Sequence, residues 1–192
     1  MHHIAWAALL LLLSTAACGT EIEGIKLPER VRLGAESALV LNGAGVRVRF
    51  IFVKVYVAAL YLPAKAGDGE AILKSEQPRR LFLHMLRNLS AEQINSSIED
   101  ALRDTLTAEE RQPLDARMAM FTAIFGSMRE VRQGTQIAID YLPQIGTVVT
   151  VNGDKHKPIP GADFNQGLLR IWLGGRSRDV DLKNALLGIP PN

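Results

Sequence analysis

Polar and apolar residues alternate in the early part of the chain and then give way to helical spacing. Glu21 to Leu27 places Ile22, Ile25 and Leu27 among charged residues and stops at Pro28, the pattern of one short strand. Ala38 to Leu41 reads as a second brief strand, and Asn42-Gly43-Ala44-Gly45 after it reads as a turn with two glycines. Val46 to Leu62 is rich in β-branched and aromatic residues. It exceeds the roughly ten residues of an ordinary strand, so a break or bulge is expected near Phe50 to Val53. Pro63 to Asp68 closes the second extended piece, and Gly69 to Ser75 forms a short helix.

Arg79 to Leu86 returns to strand character, with Leu81, Leu83 and Met85 on one face and Phe82, His84 and Leu86 on the other. Ser90 with Gln93 makes a capping box, and Ile94, Ile98, Ala101, Leu102 and Leu106 follow at helical spacing to Thr107. A second helix starts at Pro113 or Leu114 and runs to about Met128. Strands Thr135 to Leu142 and Thr147 to Asn152 are joined at Pro143–Gly146, and Asn152-Gly153 begins another tight turn. Gly161-Ala162-Asp163 caps a helix from Phe164 to Leu173, and Asp179 or Asp181 caps the last one, ending at Leu187-Gly188. Clustered strands with short links predict an α+β domain, an antiparallel sheet with helices on one face.

Residues 1–18 stand apart. Met1 to Thr20 hold no Lys, Arg, Asp or Glu, and Ile4 to Leu13 are unbroken apolar residues. That run has the length of a secretory h-region, and the small residues after it complete a signal peptide, although the start offers only His2 and His3 in place of lysine or arginine. Residues 19–192 then form one exported domain, destined for the periplasm or envelope. Ser14-Thr15-Ala16-Ala17-Cys18 reads two ways: a lipobox that acylates Cys18, or plain cleavage that frees a soluble protein. A Cys18 lipid is the one membrane attachment expected. With one cysteine, no internal disulfide forms.

Charge narrows the partners. The net charge of +2 makes no case for nucleic acid, and the basic pairs Arg79-Arg80 and Arg176/Arg178 read as solvated surface. No metal motif and no dinucleotide, phosphate-loop or nucleophile-elbow pattern occurs. His84 reads as a core or edge histidine and His156, between two lysines, as exposed. The carboxylates Glu99/Asp100, Glu109/Glu110 and Asp179/Asp181 fall on helix faces or caps. Arg47 is the exception. An arginine at the base of an apolar strand needs an anion, either a protein carboxylate such as Asp140 or a ligand.

Asn42-Gly-Ala-Gly-Val-Arg47 followed by Lys54-Val-Tyr-Val-Ala-Ala-Leu-Tyr-Leu62 resembles the chalcone isomerase family, in particular its bacterial secreted branch. The resemblance extends to Phe164-Asn-Gln-Gly-Leu-Leu-Arg-Ile-Trp-Leu-Gly174 and the closing helix. It implies an open-faced β-sandwich, a curved antiparallel sheet against a layer of helices with a ligand cleft between, and no cofactor. Arg47 matches the family's motif arginine, whereas the place of a family threonine falls on Tyr56. The family's helix tyrosine and asparagine would lie near Ile98 to Thr107, where this chain has neither, and the late Thr/Ser falls near Ile171. These departures argue against chalcone cyclisation and leave no catalytic residue to name. The expectation is a non-catalytic protein that binds a hydrophobic anion such as a fatty acid through Arg47 and Tyr56. An intramolecular lyase acting on a phenolic or enone substrate is the alternative, and a structural envelope protein the next.

Overall fold

The computed structural model describes residues 19–34, 37–50 and 52–190. The leader and Cys18 lie outside these residues. In chain order the strands β1 (Thr20–Ile22), β2 (Ile25–Leu27), β3 (Arg30–Leu33), β4 (Ser37–Arg49) and β5 (Val53–Leu62) lead to helix α1 (Gly69–Lys74). Then come β6 (Arg79–Met85), β7 (Leu89–Ser90), α2 (Ala91–Thr105), α3 (Ala108–Arg111) and, after a 3-10 turn, α4 (Asp115–Gly126). The chain ends with β8 (Glu130–Val131), β9 (Gln136–Leu142), β10 (Gly146–Val151), β11 (Asp154–Lys155), α5 (Ala162–Leu173) and α6 (Val180–Leu186).

Seven strands form one curled sheet in the order β11-β10-β9-β6-β5-β4-β3, every neighbouring pair antiparallel. Helices cover one face. Leu81, Leu83 and Met85 of β6 meet Phe121, Phe125, Phe164, Leu168 and Leu169 there in the main core. The other face carries a smaller core, in which Leu27 joins Leu39, Leu41, Val57, Ala59 and Tyr61, with Phe82 and Leu86 packed against it. The two apolar sets expected on the Arg79 to Leu86 strand therefore face two different cores.

Several expectations need correction. Glu21 to Leu27 is a hairpin, not one strand, because Glu23 and Gly24 both take positive φ (52° and 75°) and reverse the chain. Arg30–Leu33, an edge strand with alternating burial, was not expected at all. Thr107 and Glu110 form a second capping box that opens the extra helix α3 before the Pro113 turn.

The largest correction concerns Asn42–Gly45. No turn forms there, since β4 runs unbroken from Ser37 to Arg49 and pairs with β5 on both sides of this stretch, from Val40 to Arg49. The glycines serve close packing instead. A Cβ on Gly43 would collide with Ala185 O and sit 2.7 Å from Leu186 O, and one on Gly45 would sit 2.7 Å from Ala185 Cβ. Bare backbone lets α6 lie directly on the strand. The chain reversal comes at Phe50 (φ 49°), between Arg49 and its partner Val53, within the segment expected to break.

Candidate functional site

Two β-bulges decide which side chains reach the helix face. On β4 the register slips by one at Asn42, between the Leu41–Tyr61 and Gly43–Leu60 pairs. Leu39 and Leu41 before the slip point into the smaller core, while Gly43 and Gly45 after it lie against α6. Arg47 and Arg49 continue the alternation on the helix side. Asn42 itself is buried and pins the bulge: Nδ2 donates to Ala66 O (2.9 Å) and Leu186 O (2.8 Å), and Oδ1 accepts from Ala66 N (2.7 Å). On β5 one extra residue, Val55, lies between the Arg47–Tyr56 and Val48–Lys54 pairs. Val53 and Val55 line the helix side before it, and Ala58 and Leu60 lie on that side after it, so the slip turns Tyr56 to the same side.

Between this face and the helices lies a cavity of about 550 Å³, within the range of small-molecule sites. Its walls are largely apolar: Val55, Leu83, Met85, Ile137 and Ile139 from the sheet, Ile94, Ile98, Phe121, Phe125, Ile171 and Trp172 from the helices. Arg47, Tyr56, Ser177 and Asp179 supply polar groups, and Arg49, Arg87, Glu92 and Asp100 add charges where the lining residues become exposed.

Arg47 Nη1 donates to Asp179 Oδ2 at 2.8 Å, with the two side chains 24% and 15% exposed. Asp179 Oδ1 meanwhile accepts from Leu182 N at 2.9 Å and caps α6. One carboxylate thus orients Arg47 and starts the helix that packs on Gly43 and Gly45. Asp140, the example carboxylate from the sequence, is taken by Arg80 in a two-point pair (2.6 and 2.8 Å). Tyr56 Oη accepts from Trp172 Nε1 at 2.9 Å. Burial holds the Tyr56 phenol above its usual pKa, outweighing the nearby Arg47 charge and the Trp172 bond, so it stays a neutral donor rather than a base.

The basic pair Arg79-Arg80 is not solvated surface. Strand alternation sends Arg79 inward, where Nε donates to Asn165 Oδ1 (2.8 Å) and Nη1 to Ile72 O (2.8 Å) and Ser75 O (2.7 Å) at the end of α1. Its guanidinium also stacks over Tyr141 at 4.6 Å. Burial draws Arg79 down to about 10, still protonated at neutral pH. Arg178, in the other basic segment, pairs with Asp104 of α2 at 2.6 Å. His84 is half-buried and shifted down by burial, and His156 is half-buried rather than exposed.

A model of the chalcone isomerase-like family matches residues 19–188. The chain belongs to that family. No curated protein matches the sequence. Among solved structures, the crystal structure of a fatty-acid binding protein of Arabidopsis thaliana is similar, with a TM-score of 0.62 and 13% identity over 85% of this chain and 92% of that one. At that identity the likeness concerns the chalcone isomerase-like fold.

Arg47 and Tyr56, singled out by motif, are cross-strand neighbours on the cavity wall. Trp172, Asp179 and Arg49 were not expected there. The sequence places Trp172 only within the Phe164 to Leu173 helix, offers Asp179 as one of two candidate caps, and marks Arg49 as no more than an edge or surface charge. The β4 bulge turns Arg49 to the cavity, α5 carries Trp172 there, and the docking of α6 brings Asp179.

Proposed function

We infer that this chalcone isomerase-like protein is an exported, non-catalytic protein that binds a hydrophobic monoanion such as a fatty acid. The observation that carries this reading is the apolar cavity with Arg47 and the Tyr56 hydroxyl together on one wall. Among the described residues only Nη1 of Arg47 is bonded, leaving Nε and Nη2 as donors for a carboxylate. Tyr56 accepts from Trp172 and keeps its own proton to give. Each methylene buried on the apolar walls adds about 0.8 kcal/mol. The fatty-acid binding of the Arabidopsis protein with this fold supports the reading. The composition of Met1 to Thr20 supports export to the periplasm or envelope.

A second reading is favoured by the Arg47–Asp179 pair, which answers the arginine's charge within the protein. On that reading the pair only fastens α6 to the sheet. Lipids extracted from the purified chain and identified by mass spectrometry separate the two. A fatty acid that co-purifies with wild type and is lost in folded Arg47→Ala supports binding. An empty wild type, with Arg47→Ala folded but less stable, supports the structural role. Turnover of a chalcone or related enone that ends in Arg47→Ala would contradict the non-catalytic reading.

A further inference from the structure

The β4–β5 hairpin ends in two aromatic side chains that the protein leaves in water. Phe50 and Phe52 are each 85% exposed, the most exposed large apolar residues in the described fold, and Val48 beside them is 40% exposed. Single exposed apolar residues are ordinary, but two phenylalanines at one hairpin tip are not. The tip also adjoins the cavity. Arg49, Phe50 and Val53 line its wall, and Arg49 Nη1 reaches Ser97 Oγ on α2 at 3.2 Å, so the exposed rim runs between hairpin and helix.

The charges around the tip select its partner. Neither Arg49 nor Arg87 has a carboxylate within ion-pair distance among the described residues. Lys54 is already paired with Glu23 at 2.7 Å. The rim carboxylates Glu92 and Asp100 sit across on α2, where Asp100 pairs with Arg103 at 2.6 Å. A projecting aromatic pair flanked by arginines without a carboxylate partner suits an anionic bilayer: rings enter the boundary of headgroups and acyl chains while guanidinium groups meet phosphates. A second copy suits it less. Two phenylalanines offer on the order of 400 Å² per protomer, short of the roughly 800 Å² per partner of a stable interface, and a two-fold pairing would set arginine against arginine.

We propose that the Phe50/Phe52 tip docks on anionic lipid membranes and places the cavity rim at the bilayer surface. This goes beyond the ligand reading, since docking needs no occupant in the cavity. The sheet, the helices and both cores lie within residues 19–190, so the chain from Gly19 serves for the test and excludes any lipid on Cys18.

The protein is sedimented with vesicles of phosphatidylglycerol and phosphatidylethanolamine, and in parallel with phosphatidylcholine alone. Phe52→Ser is the matched variant, because Phe52 lies at the tip and outside the cavity lining. Wild type is expected to sediment with the anionic vesicles and much less with phosphatidylcholine. Phe52→Ser, with unchanged melting, should partition about ten-fold more weakly. Wild type left in the supernatant, or Phe52→Ser sedimenting like wild type, overturns the proposal. A dimer in light scattering that Phe52→Ser splits into monomers also overturns it. Fatty-acid binding, measured without vesicles, is scored separately: lost docking with intact binding sinks this proposal alone, and docking without binding sinks the ligand reading alone.

Discussion

Replacing Gly43 with alanine tests whether the two-glycine stretch is a helix-docking surface rather than a turn. The added Cβ would lie 2.7 Å from Leu186 O and 2.9 Å from Gly188 N, and closer still to Ala185 O. All three are backbone atoms, so no side chain can rotate away and α6 must lift from β4. Overpacking of this kind costs about 1–3 kcal/mol. Lifting α6 also strains the 2.8 Å bond from Asn42 to Leu186 O, worth about 1 kcal/mol more. The expected loss is about 3 kcal/mol, read in urea as a midpoint lower by about 1–2 M. Gly126→Ala is the control. Its Cβ meets nothing within 4 Å at the end of α4, and helix propensity predicts a gain of up to about 1 kcal/mol. If Gly43→Ala unfolds within about 0.3 M of wild type, the close contact between strand and helix is not what those glycines are for.

Three further outcomes follow from the same contacts. Asp179→Asn keeps a side chain able to cap α6 but releases Arg47, so a fluorescent fatty acid should bind several-fold more tightly; unchanged or weaker binding would show that Asp179 does not compete for the arginine. Arg79→Met removes the donor to Ser75 O and Asn165 Oδ1, leaves Ile72 O only the 3.3 Å bond from Ser75 N, and should cost about 3 kcal/mol in denaturant unfolding; a loss under about 1 kcal/mol would mean those acceptors find other partners. Burial pushes the Tyr61 phenol from 10.0 up to about 12, against the Arg80 charge, so the folded protein holds a proton that the unfolded chain releases first. That contribution to stability is complete below pH 10 and lost as pH rises toward 12, and phenolate absorbance should show Tyr61 titrating late; a titration of Tyr61 near 10 contradicts the assignment.

Elements whose signal is local were legible in the sequence. The Ser90/Gln93 capping box starts α2 as the residues dictate, and the alternation across Arg79 to Leu86 shows a strand buried on both faces. Glycine was harder to read, because the absence of a Cβ serves a tight turn and a close helix contact equally well. Gly24 does the first and Gly43 the second, and only the position of α6, more than 130 residues later in sequence, tells them apart. Arg79 misled for a related reason: its partners are mostly backbone carbonyls, which no sequence pattern marks. The site was half legible. The motif singles out Arg47 and Tyr56, but the strand register that sets them side by side, the one-residue bulge that decides the side on which Tyr56 lies, and the packing that brings Trp172 and Asp179 to them are tertiary.

The Arg47–Asp179 pair bears directly on the binding reading. A free arginine at an apolar cavity would be costly, and Asp179 satisfies it; on the proposed reading a ligand carboxylate would share or replace that bond. Because the same carboxylate caps α6, occupation of the cavity would be felt at the helix that packs on Gly43 and Gly45. The central claim is that the cavity reads a carboxylate, and not merely a tail. Calorimetric titration of a long-chain fatty acid and of the alcohol of equal length, into wild type and Arg47→Ala, tests it most directly. The account predicts that wild type prefers the acid about ten-fold or more and that Arg47→Ala binds acid and alcohol alike. Equal affinity of wild type for acid and alcohol would contradict it.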